Sequence, residues 1–262
     1  MTKKIGLALG GGGARGFCHI GVIEVLQEHG ITVDVVTGCS MGAMIGAGLA
    51  SGVTTTQMRE LAARAKSHRV FDVDPIGIWW KGGVARGNSA MKMARNLVGE
   101  RNIEDLPIKF ACIAADLKKS DGDNLHVFRD GQLWDAVRAS IAIPGVFHPV
   151  VHDGKLLVDG AVVKRMPIAE ARELGADIII AVDPMGPPQP PTKNSVLSKV
   201  EAALMAMDWR VARHEGKDAD ILIMPQMPGR SAFWFKNNMD AVEAGREAAL
   251  KALPQILALV NG

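Results

Sequence analysis

Ser40 sits between two glycines, in Gly38-Cys39-Ser40-Met41-Gly42, after the β-branched run Val35-Val36-Thr37 and before a stretch of small residues. This G-x-S-x-G order suits a nucleophile at the tip of a strand-to-helix elbow. The turn holds the serine in a strained backbone geometry, and the flanking glycines relieve the crowding around it. The helix behind aims its positive dipole end at the serine and favours the negative charge that develops there. A serine ahead of a helix is more commonly an N-cap. The two glycines, the preceding strand and a second glycine turn one strand–helix unit earlier favour the nucleophile.

That second turn is Gly10-Gly11-Gly12-Gly13-Ala14-Arg15-Gly16, which follows the strand-like Ile5–Leu9 and precedes an amphipathic segment. Successive glycines let backbone N–H groups point the same way and let an anion approach closely. Gly11, Gly13 and Gly16 also satisfy G-x-G-x-x-G, a weak signal for a dinucleotide. A dinucleotide site needs an acid at the end of the second strand, and Asp34 lies at its start. A phosphate loop would carry Lys after Gly16, where Phe17 stands. The turn is therefore read as anion-facing; a plain glycine-rich turn without a ligand is the competing expectation, and a nucleotide-binding loop ranks below both.

A serine nucleophile needs a proton acceptor. Of the histidines, only His214 comes late enough for a Ser–acid–His order after Asp159 or Asp183, and it reads as the exposed end of a helix. The other candidate is Asp159, in Val158-Asp159-Gly160-Ala161 just past a short strand. Asp-Gly is most often only a turn. Catalytic side chains of α/β sheets nevertheless collect at strand ends. An aspartate of ordinary pKa is a weak base, so burial must raise it or the oxyanion site must carry more of the barrier.

Strand-like and helix-period segments alternate along the chain, the pattern of a mostly parallel sheet covered by helices. Strands are predicted at Ile5–Leu9, Asp34–Thr37, Ile108–Ala115, His126–Phe128, Leu156–Val158, Ile178–Val182 and Ile221–Ile223. Helices are predicted at Gly16–Glu28, Met41–Ala50, Gln57–Lys66, Ser89–Leu97, Leu133–Ser140, Pro167–Leu174, Leu197–Arg213 and Met239–Leu250. The alternation resumes after both irregular stretches, Val70–Gly87 and the proline-rich Met185–Thr192, so residues 1–262 read as one domain.

Of the 262 residues 48% are hydrophobic and 22% charged, and the net charge of +2 is spread without a basic block. This composition suits a globular enzyme with a large core and gives no footing for a nucleic-acid partner. Cys18, Cys39 and Cys112 match no metal or disulfide spacing and read as buried thiols. No signal-peptide pattern and no apolar run of roughly 18 residues is present. The expected location is cytoplasmic, with any membrane contact peripheral.

Taken together, these motifs resemble the bacterial patatin-like phospholipases of the short single-domain type, which pair G-x-S-x-G with D-G-[GA] as a Ser–Asp dyad without His. The likeness runs over nearly the whole chain: Gly11–Gly16, Gly38–Gly42, the segment Arg138–Val150 containing Pro144 and Pro149, and Asp159-Gly160-Ala161. It implies a three-layer α/β/α sandwich with a mostly parallel central sheet, and hydrolysis of lipid or related esters without metal or other cofactor. It also implies Ser40 and Asp159 as the dyad and the Gly11, Gly12 and Gly13 N–H groups as the oxyanion hole. Arg15, Gly16, Gly38, Gly42 and Gly160 would support these motifs. Arg15, at the start of the helix, is expected to brace the turn rather than clamp an anionic head group. One departure bears on the charge near the site entrance and the loop packing behind Asp159: Lys164-Arg165-Met166 precede Pro167, where relatives usually place an Asn.

Two aromatic clusters ending in lysine, Trp79-Trp80-Lys81 and Phe233-Trp234-Phe235-Lys236, suit a membrane interface. They predict an apolar lid built from Val70–Gly87 and Ser231–Lys236, with Trp79, Trp80 and Trp234 meeting substrate; placement in the core or against another subunit is the competing expectation. A regulatory or interaction protein with incidental esterase activity is the alternative at the level of function. The acyl chain, the head group and the oligomeric state have no signature in the sequence.

Overall fold

In a computed structural model, residues 3–67, 83–85, 92, 95–96, 98–188, 190, 194 and 196–262 are described. The aliphatic and β-branched runs form β1 (Ile5–Leu9), β2 (Val35–Cys39), β3 (Gly83–Ala85), β4 (Lys109–Asp116), β5 (Leu125–Phe128), β6 (Gly145–Phe147), β7 (Val150–His152), β8 (Lys155–Asp159), β9 (Ile178–Val182) and β10 (Ile221–Ile223). The helices are α1 (Cys18–Glu28), α2 (Met41–Ala50), α3 (Thr55–Arg64), α4 (Leu133–Ser140), α5 (Ile168–Glu173), α6 (Val196–Glu215) and α7 (Asn238–Asn261).

The main sheet runs β10-β9-β1-β2-β4-β8-β7, with β5 also paired to β4. Its first five strands are mutually parallel, whereas β8, β7 and β5 join antiparallel. Successive strand residues face opposite sides, and both sides are apolar. Leu7, Leu9, Val36, Ile180 and Val182 pack into one core with α1, α2, α3, α4 and α7. Ala8, Val35, Ile179 and Ala181 pack into a second core with α5 and α6. Two cores on one sheet give the three layers that the βα alternation requires.

Helices α1 and α7 cross at bare backbone. A Cβ on Gly21 would lie 2.0 Å from the Val242 carbonyl oxygen, and one on Gly245 would lie 2.0 Å from that of Cys18. No larger residue fits at either point.

The predicted strands and helices are present, with shifted ends, wherever the structure describes them; the helix expected at Ser89–Leu97 lies mostly outside the described residues. Strand β7 and its hairpin with β8 went unread. Their turn is Asp153-Gly154, both at positive φ (46° and 76°), the backbone that a two-residue hairpin demands. Helix α7 runs past the expected end at Leu250 and through Pro254 to Asn261. A proline usually ends or kinks a helix, so the stop was placed too early. Among the described residues no helix is long and apolar enough to cross a membrane.

Candidate active site

The sheet register brings the two motifs together. Cys39, ending β2, lies opposite Ile113 of β4, and Asp159, ending β8, lies opposite Ala114, the next residue. Ser40 turns the chain from β2 into α2 at φ 53° and ψ −122°, a backbone region costly for any residue with a Cβ. Its side chain makes no capping bond to α2. Instead Oγ donates to Asp159 Oδ2 at 2.5 Å. Gly42 permits this elbow, since a Cβ there would lie 2.1 Å from the Leu9 carbonyl oxygen.

Asp159 is 4% exposed and Ser40 5%. The other carboxylate oxygen, Oδ1, accepts the Ala161 N–H at 3.0 Å and faces the Cys39 thiol at 3.8 Å. Burial pushes the Asp159 pKa up to about 6, against the lowering effect of the bonds from Ser40, Ala161 and Cys39. The result is a stronger base than an exposed aspartate, which is what a dyad without histidine needs. His214 is exposed at the end of α6, away from these buried groups.

The glycine turn lies against the elbow; a Cβ on Gly11 would be 3.5 Å from that of Ser40. Four bonds hold the turn. Gly10 N–H donates to Val182 O at 2.9 Å, and Gly10 O accepts from His19 Nε2 at 2.9 Å. Gly11 N–H donates to Arg165 O at 3.1 Å, and Ala14 N–H donates to Ala232 O at 2.7 Å. His19 is fully buried, which lowers its pKa to about 4 and keeps it neutral as the Nε2–H tautomer. The Gly11 N–H is thus engaged, whereas those of Gly12 and Gly13 make no backbone hydrogen bond among the described residues. Gly13 sits at φ 50°, with room for no side chain: a Cβ would meet Ala232 O at 2.3 Å.

Arg15 is buried and donates to the Met227 carbonyl at 3.1 Å, inside the fold rather than at an entrance. Lys164 and Arg165, the departure noted in the sequence, are neutralised behind the site. Lys164 pairs with Glu170 at 2.8 Å. Arg165, 1% exposed, lies 3.4 Å from Asp183 and 3.1 Å from Asp208, with its guanidinium 5.7 Å from the Trp209 ring centre.

An apolar groove opens beside Ser40 and Gly13, walled by Phe17, Met41, Met44, Ile141, Ile143, Phe147 and Phe235. Phe17 and Phe235 meet edge to face, with ring centres 6.0 Å apart. Of the expected lid, Trp79 and Trp80 lie outside the described residues. The second half is tied down: Ala232 O holds the glycine turn, and Phe235 N–H donates to Ser67 Oγ at 3.0 Å. Phe235 is thus part of the groove wall, while Trp234 stands 57% exposed. Ser140 was missed. It is fully buried and its Oγ accepts the Ser40 N–H at 2.9 Å; a lone serine at the end of a helix carries no spacing signal.

Comparison with known proteins adds the following. A family model described as patatin-like phospholipase matches residues 7–172. An uncharacterized NTE family protein of Mycobacterium tuberculosis is 38% identical over 200 residues, covering 74% of this chain and 52% of its own. A lysophospholipase NTE1 of Coccidioides immitis is 35% identical over 185 residues, covering 69% of this chain and 11% of its own. The chain thus spans about half the length of the mycobacterial relative and a small part of the fungal one. VipD of Legionella pneumophila superposes with a TM-score of 0.53 at 16% identity, over 97% of this chain and 67% of that one. Human GIVD cytosolic phospholipase A2 gives a TM-score of 0.52 at 11% identity, over 99% and 60%. At these identities the two structures speak for the shared fold alone.

Proposed function

We propose that this chain, which belongs to the patatin-like phospholipase family, is a serine hydrolase of lipid acyl esters that works through a Ser40–Asp159 dyad. The observation that carries this reading is the 2.5 Å hydrogen bond from Ser40 Oγ to a buried carboxylate, set at the mouth of an apolar groove. Ser40 Oγ attacks the ester carbonyl carbon as its proton passes to Asp159 Oδ2. The carbonyl oxygen becomes an oxyanion held by the N–H groups of Gly12 and Gly13, with the N-terminal end of α2 adding its dipole. Collapse expels the alcohol, which takes the proton from Asp159, and leaves the acyl chain on Ser40. Water then attacks the acyl-enzyme, gives its proton to Asp159 and releases the fatty acid, which restores the serine.

The acyl chain lies in the groove between Phe17, Met44, Ile143 and Phe235. Apolar walls with few polar groups suit a hydrocarbon tail. The lysophospholipase name of the fungal relative supports a (lyso)phospholipid ester as the substrate class, and Trp234 with Lys236 supports peripheral contact with a lipid surface.

Exposure to a fluorophosphonate, followed by intact-mass analysis and peptide mapping, tests the reading. One adduct on Ser40 is expected. Ser40→Ala and Asp159→Asn should each lower turnover of a p-nitrophenyl ester by about 10³-fold or more. Turnover that survives Ser40→Ala would overturn the assignment.

A further inference from the structure

Residues 140–143 touch the dyad and the groove alternately. Ser140 Oγ accepts the N–H of Ser40 at 2.9 Å, and the carbonyl of Ala142 accepts the N–H of Asp159 at 2.9 Å. Between and beyond them, the side chains of Ile141 and Ile143 line the apolar groove beside Ser40. The stretch is also internally tight: Ile141 N–H donates to Val137 O at 3.0 Å, Ala142 N–H to Ala139 O at 3.1 Å and Phe147 N–H to Ile143 O at 2.9 Å. Within it, Ile143 N–H donates to Ile141 O at 2.9 Å, so the two groove-lining isoleucines share one hydrogen-bonded run of backbone with Ser140 and Ala142.

From this juxtaposition, and resting on the dyad reading above, we propose that Ser140 is a positioning residue for the nucleophile and that the 140–143 segment couples acyl-chain occupancy to dyad geometry. Ser40 has the strained φ of 53°, so its backbone needs an external restraint to stay there. The Ser140 hydroxyl is that restraint, and it satisfies a buried N–H that α2 itself cannot. A chain that fills the groove presses on the isoleucines and seats Ser140 and Ala142. Binding energy from the non-reacting tail then appears in kcat and not only in KM.

The test is a chain-length series of p-nitrophenyl esters, butyrate to decanoate, with kcat and KM measured separately. Wild-type kcat is expected to rise about 10-fold or more along the series while KM falls. Ser140→Ala should keep the fall in KM but lose most of the rise in kcat, and Ser140→Thr, which keeps the acceptor oxygen, should restore it. Equal loss of kcat on every ester, or no loss, would overturn the coupling. Should Ser140→Ala fail to fold, Ile143→Ala probes the groove side of the same segment: its ratio of decanoate to butyrate kcat should drop several-fold, and an unchanged ratio overturns the proposal. Failure here is distinct from failure of the dyad. Loss of turnover in Ser40→Ala with a chain-length rise that survives Ser140→Ala would sink the coupling alone, whereas turnover in Ser40→Ala would sink both.

Discussion

Asp159→Asn is expected to abolish turnover and also to remove a loss of stability that the wild type suffers as pH rises to neutral. The carboxyl group ionises at about 6 in the folded protein against 3.8 as its ordinary value. Each unit corresponds to about 1.4 kcal/mol, so the rise is about 3 kcal/mol of differential stability. The sign follows from the direction. With the folded pKa above the unfolded one, the native state binds the proton more tightly between the two values. The contribution is fully present below the unfolded pKa and is lost as pH rises through about 6. An asparagine cannot ionise and loses nothing over that range. Any change in packing or hydrogen bonding to Ala161 and Ser40 adds an offset that does not vary with pH. Urea denaturation of both proteins at about pH 4, 5.5 and 7.5 would isolate the effect, because titrating groups that do not interact with Asp159 cancel in the difference. The variant's stability relative to wild type should rise by about 2 kcal/mol from the lowest to the highest of these pH values, most of it below pH ~6. A difference that stays flat with pH would refute the desolvated carboxylate, and with it the physical basis of a dyad that lacks histidine.

Three further outcomes are expected. Only ionised Asp159 accepts the serine proton, so kcat/KM should fall on the acid side with an apparent pKa near 6; a limb near 4 would mean that the carboxylate is solvated. Arg165→Met should cost about 3 kcal/mol or more in urea unfolding at pH ~7.5, because it leaves Asp183 buried without its counter-charge. That loss should shrink toward pH ~5 as Asp208, whose pKa burial raises to about 6, takes up its proton; a cost under ~1 kcal/mol would deny the ion pair its role. Trp234→Ala should leave the melting temperature within about 2 °C of wild type, as for other exposed sites, while lowering hydrolysis of micellar substrate and sparing a short soluble ester. Equal losses on both substrates would remove Trp234 from the lipid contact.

The elbow at Ser40 and the turn at Asp159, which the fold brings into hydrogen-bond contact, were legible because both are local. Gly38–Gly42 and Asp159–Ala161 each write a complete turn into a few residues, and the alternation around them fixes which strand ends they occupy. The sandwich was legible for the same reason, since β1, β2 and β9 are apolar on both faces and read as buried parallel strands. What escaped is set by register and by contacts distant in sequence. Nothing around Arg165 announces that its carbonyl will take the Gly11 N–H, so that bond could not be read from the glycine motif. Ser140 was invisible because its partner lies a hundred residues away. Phe235 looked like lid material because an aromatic cluster in a glycine-poor loop has the same composition whether it covers a groove or walls it.

The crossing of α1 and α7 also makes the glycine turn depend on residues remote from it in sequence. Helix α1 carries His19, whose ring holds Gly10, and α7 packs on α1 backbone to backbone, with Gly21 against Val242 and Cys18 against Gly245. Contacts so far apart in sequence carry a loop-closure cost and form late in folding. A bulky residue at Gly245 would press on Cys18 and be felt beside it, in the turn that His19 braces.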